Sequence, residues 1–135
     1  MIIFSPIPIM AKYFTLVPLP EDIFSEVSLV DRVVFVLIWE RYKLSSYKVT
    51  GGSDEWVDDL DGSIFCIFSH DELARKAGVS EKTVRRSLVA LRDEHGLIDW
   101  RKASFKGACR YYVEKTAREY MTACAQDNRK EQDSQ

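Results

Sequence analysis

Between Ser28 and Tyr42 the apolar residues Val30, Val33, Val34, Leu37, Ile38 and Tyr42 recur at three- and four-residue spacing. That period predicts a largely buried helix over about 28–43, with Ser28 as its N-cap and Asp31 at the third helical position. The polar run KLSSYKVTGGSDE, 43–55, has paired glycines and reads as a loop. Trp56-Val57 and Ile64–Phe68 flank the turn signal DDLDGS and predict a hairpin that delivers the chain to Ser69. From there the chain reads SHDELARKAGVSEKTVRRSLVALRDEHGLIDW. Ser69 and Glu72 form a capping box, Leu73 and Ala77 share a helical face, and Gly78 stands where a helix end favours positive φ. Val79 plugs the corner, Ser80 caps a second helix running to about His95, and Gly96 stops it. A short helix, a glycine corner and a longer helix make a helix-turn-helix pattern.

Leu97–Trp100 alternates as a strand, and Tyr111–Val113 can return beside it. Between them lies the basic stretch RKASFKGACR, placed as the wing of a winged-helix domain would be. The expected fold is therefore mainly α with a small antiparallel β-sheet, a winged helix-turn-helix. Its helices fall near 28–43, 70–77 and 81–95, and its strands near 64–68, 97–100 and 111–113. At the ends, YFTLVPLP reads as extended because proline restricts the residue before it, and 21–25 reads as a single helical turn. Val113, Ala117, Tyr120, Met121 and Cys124 share one face of a last helix, and DNRKEQDSQ reads as a disordered tail. The chain thus divides into an N-terminal arm (1–12), a winged-helix DNA-binding domain (13–116), and a C-terminal helix and tail (117–135).

On a wheel of about 100° per residue, Val84, Leu88 and Leu91 fall within roughly 60° and mark the buried stripe of the second helix. Lys82, Arg86 and Val89 lie opposite, with Arg85 and Thr83 on the flanks. Such a face suits the major groove, where arginine pairs with guanine edges and all of these polar groups reach phosphates. A solvated charged face is the other reading of the same residues. The net charge of −2 and pI of about 5.7 do not by themselves mark a nucleic-acid binder. The distribution does: residues 1–68 carry 5 Lys/Arg against 10 Asp/Glu, whereas 75–110 carry 10 against 4.

Other chemistries find little support. Cys66, Cys109 and Cys124 are odd in number with no C-x-x-C spacing, so structural thiols in a reducing compartment are expected rather than a zinc site. The opening MIIFSPIPIM lacks a basic n-region and is broken by Pro6 and Pro8, so it is no signal peptide, and no run reaches membrane-spanning length. Asp54, Glu55, Asp58, Asp59 and Asp61 crowd one turn but lack the later bidentate glutamate of a calcium loop, and read as a solvated turn. His70 and His95 have no nucleophile or metal partner nearby in sequence, and no phosphate-cradling glycine motif occurs. The expectation is a cytoplasmic binding protein, not an enzyme, without cofactor or metal.

The order of these features resembles the N-terminal domain of the plasmid replication initiator A family, the RepA-N type of low-GC Gram-positive plasmids. The resemblance rests on Phe14-Thr15-Leu16-Val17-Pro18, the helix SLVDRVVFVLIWERYKLS, and the hairpin Trp56-Val57-Asp58 with Gly62-Ser63-Ile64-Phe65. It continues through SHDELARKAGVSEKTVRRSLVALRDEHGLI to Tyr111-Tyr112-Val113, and so spans about residues 13–113. The loop before Trp56 is longer than the family's, and the wing lacks its Gly-x-Pro element. The resemblance implies binding of origin repeats in double-stranded DNA and contact with host replication proteins. It places Ser80, Lys82, Thr83, Arg85 and Arg86 at recognition-helix positions and Lys102, Lys106 and Arg110 in the wing. A homodimer is expected on repeated sites, and the apolar arm (Ile2, Ile3, Phe4, Ile7, Ile9) and the Tyr120 and Met121 face offer surface for it. Two other readings stay open: a GntR-like winged-helix transcriptional repressor, and a winged-helix protein-interaction module.

Overall fold

A computed structural model describes residues 26–102 and 108–123. The expectations for the arm, for 13–25, for the wing loop with Lys106, and for Cys124 and the tail fall outside these residues.

Helix α1 spans Leu29–Thr50, and Ser28 Oγ caps it by accepting from the Asp31 N–H at 3.2 Å. Its central run Val34–Trp39 is buried throughout, so this helix is the backing of the core. It extends beyond the expected 28–43. The periodicity does not stop at Lys43, because Tyr42 and then Ser45 are buried at helical spacing and no helix breaker occurs before Gly51. The polar composition of 43–50 reads as a loop, but these residues are the solvated end of a helix, and Leu44 and Tyr47 are exposed there.

The segment after Gly51 is less regular than the expected hairpin. A single antiparallel bridge, Val57 to Ile64, joins its arms, and regular pairing starts only at β1 (Cys66–Ser69). Asp58 is the reason. Its N–H donates to Ser63 O at 2.8 Å, its carbonyl accepts from Gly62 N–H at 2.9 Å, and its Oδ1 accepts from Leu60 N–H at 2.8 Å. These bonds close a compact loop in place of a ladder.

Helix α2 (His70–Ala77) and helix α3 (Glu81–Val89) follow, close to their expected bounds. Helix α3 passes into a π-helical turn over Ala90–Glu94, so the expected run to His95 is one continuous coil with a wide last turn. His95 N–H donates to Ala90 O and Leu97 N–H to Leu91 O, one residue wider than an ordinary Schellman closure, with Gly96 at φ 63°. Strand β2 (Ile98–Lys102) and strand β3 (Ala108–Val113) complete an antiparallel sheet of order β1-β3-β2.

Register sorts the two faces of the sheet. Cys66 pairs with Tyr111, Phe68 with Cys109, Ile98 with Val113 and Trp100 with Tyr111, and these side chains meet the helices. Asp99, Arg101, Arg110 and Tyr112 lie on the opposite face. The core joins Phe35, Ile38 and Trp39 of α1 to Leu73 of α2 and to Val84, Leu88 and Leu91, each of the last three fully buried as expected. A last helix begins at 115, with Ala117 and Met121 buried on the face expected for it; Met121 and the neighbouring Tyr120 pack on the core rather than forming the exposed dimer surface expected of them. Mostly helical, with a helix-turn-helix leading into an antiparallel hairpin, the domain has the winged-helix architecture.

Candidate nucleic-acid interface

Local sequence holds the helix-turn-helix in shape. Ser69 Oγ accepts from Glu72 N–H at 3.0 Å and starts α2. Gly78 ends it at φ 74°, ψ 30°, the left-handed region, while the N–H groups of Gly78 and Val79 both reach Ala74 O. Ser80 Oγ then accepts from Thr83 N–H at 3.1 Å and lies 3.0 Å from Thr83 Oγ1. Ser80 and Thr83 are thus occupied in capping α3. Thr83 is half-buried, which leaves its hydroxyl less free than the cations beside it.

With Val84, Ser87, Leu88 and Leu91 buried, the other side of α3 carries Lys82, Arg85, Arg86 and Val89. Lys82, Arg85 and Arg86 are exposed and none forms an ion pair among the described residues. Their charge faces outward without an ion pair, with the exposed Glu81 carboxylate in the first turn of the same helix. Arg85 also lies close enough to His70 to act on it. Burial first, and then the Arg85 charge, push the His70 imidazole below its ordinary pKa, with Glu81 opposing. The His70 ring sits 3.8 Å from Cys109 Sγ, so the start of α2, the start of β3 and the flank of α3 converge. Burial pushes the Cys66 thiol up to about 12, which makes it an inert core group.

The helix-turn-helix is pinned to α1 by Arg41. Its Nη1 donates to Glu72 Oε1 at 3.0 Å and to Ile67 O at 3.1 Å, its Nη2 donates to Glu72 Oε2 at 2.8 Å, and its guanidinium lies 3.7 Å over the Phe68 ring. The fork holds the Glu72 carboxyl below its ordinary pKa.

The wing residues do not share one face. Lys102 pairs with Cys109, which places it on the side of the sheet where the helices lie, and it is exposed without an ion pair among the described residues. Arg110 pairs with Arg101 on the opposite face, half-buried, with its guanidinium 4.3 Å over the Phe65 ring. Strand parity carried this information: Arg110 is out of step with Cys109, Tyr111 and Val113. Lys106 lies outside the described residues.

One residue of the acidic turn does not fit the expectation of a solvated turn. Asp58 is 5% exposed. Its Oδ2 accepts from Tyr112 Oη at 2.6 Å and from Arg101 Nη1 at 3.2 Å. The Tyr112 hydroxyl and the Leu60 N–H hold this carboxyl below the usual range, while burial and Asp58 together raise the Tyr112 phenol. No signal within DDLDG separates Asp58 from its neighbours; its place as the Asp of Trp56-Val57-Asp58 is the one feature of the sequence that distinguishes it.

Among the described residues no helix is long and apolar enough to cross a membrane. Two solved structures share the fold. One, described as the N-terminal domain of a DNA binding protein, is 15% identical with a TM-score of 0.52, over 85% of this chain and 83% of that one. Another, described as the structure of a Rep–DNA complex, is 17% identical with a TM-score of 0.50, over 77% of this chain and 70% of that one. No curated protein matches the chain. The family model for the N-terminus of replication initiator protein A (RepA) matches residues 13–126, and the chain belongs to that family.

Proposed function

We propose that this domain binds double-stranded DNA through α3 and the β2–β3 hairpin, as the origin-recognition module of a plasmid or mobile-element replication initiator. The observation that carries the reading is the outward face of α3. Lys82, Arg85 and Arg86 project there together, exposed and unpaired among the described residues, from a helix whose other side is locked in the core. Lys102 adds a cation on the helix side of the sheet. Family membership and the similarity of fold to a Rep–DNA complex support it. On this reading the chain acts in the cytoplasm by binding, without catalysis or cofactor. It pairs with a second copy on repeated sites and meets host replication proteins there.

The test is a footprint on the replicon carrying the gene, followed by titration of the footprinted fragment and a scrambled duplex at several salt concentrations. Arg86→Ala should weaken the footprinted site by about 1–3 kcal/mol and reduce discrimination. Lys102→Ala should weaken both duplexes alike and flatten the log–log salt slope by about one unit. If the wild type binds neither duplex, or if both variants match it, this face is not a DNA site and a protein-interaction module becomes the better reading.

A further inference from the structure

The outer face of the sheet poses an electrostatic problem. Arg101 of β2 and Arg110 of β3 are directly opposed in the register, and like charges so placed repel. Both strands carry on from this pair toward residues 103–107, so repulsion here would splay the base of the wing. Three features offset it. Arg101 lies 4.7 Å over the Tyr112 ring, Arg110 lies 4.3 Å over the Phe65 ring, and between the strands stands the Asp58 carboxylate. Its Oδ2 takes one hydrogen bond from β2, through Arg101, and one from β3, through Tyr112. Asp61 adds a longer contact to Arg101 at 3.8 Å. Asp58 is itself immobile, since its backbone N–H, its carbonyl and its Oδ1 are all bonded inside its own loop.

We propose that Asp58 is a positioning residue for the wing: anchored in the 56–65 loop, it ties β2 to β3 and sets the stance of the hairpin against DNA. It touches no DNA itself. It acts through Lys102, the residue after Arg101, which lies on the helix side of the sheet. The inference rests on the DNA-binding reading above for its consequence, but not for its geometry. A buried carboxylate with two donors from adjacent strands persists only where all its bonds are made.

Two variants probe it. Asp58→Asn removes the charge that offsets the two guanidinium groups, and Tyr112→Phe removes the β3 hydrogen bond while keeping the ring. Each is compared with Lys102→Ala, and with the double variant D58N/K102A, well below the melting temperature of every protein used. The readouts are affinity for the footprinted fragment and for a scrambled duplex, the salt slope, and amide hydrogen exchange. D58N should lose roughly tenfold affinity on both duplexes, keep the ratio between them, and flatten the salt slope by about one unit. Tyr112→Phe should show a smaller loss of the same kind. The double variant should be little worse than K102A alone, because both changes remove the same contact. Exchange should speed up at Arg101, Lys102 and Cys109 and stay unchanged in α3.

A merely structural role would instead add the two losses and alter the ratio between duplexes. A rise in affinity with a steeper salt slope would mean that Asp58 only masks Arg101 from DNA. Either result overturns the proposal. If the wild type binds no duplex, the DNA-binding reading fails, and exchange alone decides: faster exchange confined to the strand ends supports Asp58 as the tie, and unchanged exchange removes it.

Discussion

Replacing Arg41 with Ala tests what orients the helix-turn-helix on its backing helix. The guanidinium makes three hydrogen bonds, two to the Glu72 carboxylate and one to Ile67 O, and covers the Phe68 ring. Both side chains of the ion pair remain 31% exposed, so solvent screens the pair. Exposed pairs contribute about 0.2–1 kcal/mol, and the bidentate fork puts this one near the top of that range. The carbonyl bond adds about 1 kcal/mol and the ring contact about 0.5–1 kcal/mol. Arg41→Ala should therefore cost about 2–3 kcal/mol in urea denaturation, with an unchanged m-value. Arg41→Lys should recover less than half, because an ammonium cannot fork. A double-mutant cycle with Glu72→Gln should give a coupling of about 1 kcal/mol. The pH dependence has a definite sign. A carboxyl held below its ordinary 4.5 stabilises the fold above that pH and loses the contribution as pH falls through its folded value. Arg41→Ala should flatten this acid limb. A loss below about 1 kcal/mol, no more than an exposed pair alone contributes, or an unchanged acid limb would refute the reasoning.

His70 titrates with the same sign in a higher pH window. Its pKa is lowered from 6.5 by burial and Arg85, so the unfolded chain takes the proton first and stability should fall as pH drops below 6.5; His70→Gln should flatten that window in pH-dependent melts. Gly78→Ala meets no atom within 4 Å, so its cost is purely that of φ +74°, about 1–2 kcal/mol in chemical denaturation. Leu88→Ala deletes a fully buried side chain between α1 and α3 and should cost about 3 kcal/mol, with DNA affinity unchanged once the protein is folded.

The parts of the fold legible in the sequence are those that local chemistry decides. Ser69, Gly78 and Ser80 act on bonds within four residues of themselves, and α2, the corner and α3 lie almost where those residues predict. The same holds for the stripe Val84, Leu88, Leu91, which needs only the helical period. Errors arise where a distant partner decides. Residues 43–50 look like a loop by composition, yet Ser45 is buried and Lys48 lies over Trp56, so tertiary contacts keep the helix going to Gly51. The 56–65 arms look like a ladder, yet Asp58, held by Arg101 and Tyr112 of the sheet, draws the hydrogen bonds into a closed loop.

The candidate site divides along the same line. The outward cations of α3 follow from one helix wheel, so their grouping could be read without a structure. The wing needs the two-residue strand period instead of a helix wheel, with the bounds of β2 and β3 known. Lys102 and Arg110 are both basic and both near the turn, but a two-residue period sends them to opposite sides. Arg110 and Arg101 are held by Asp58, Tyr112 and Phe65 rather than offered to a ligand. The charge that matters for binding is therefore smaller than the excess of 10 Lys/Arg over 4 Asp/Glu in residues 75–110. Arg75 is paired with Asp71 and Arg92 with Asp93, which reduces it further. What remains, among the described residues, is Lys76 on α2 and, on α3 and β2, the four cations Lys82, Arg85, Arg86 and Lys102. A footprint of four cations sets the expected log–log salt slope for this face near about −3 to −4. A measured slope much steeper than that would require phosphate contacts from parts of the chain beyond α3 and β2.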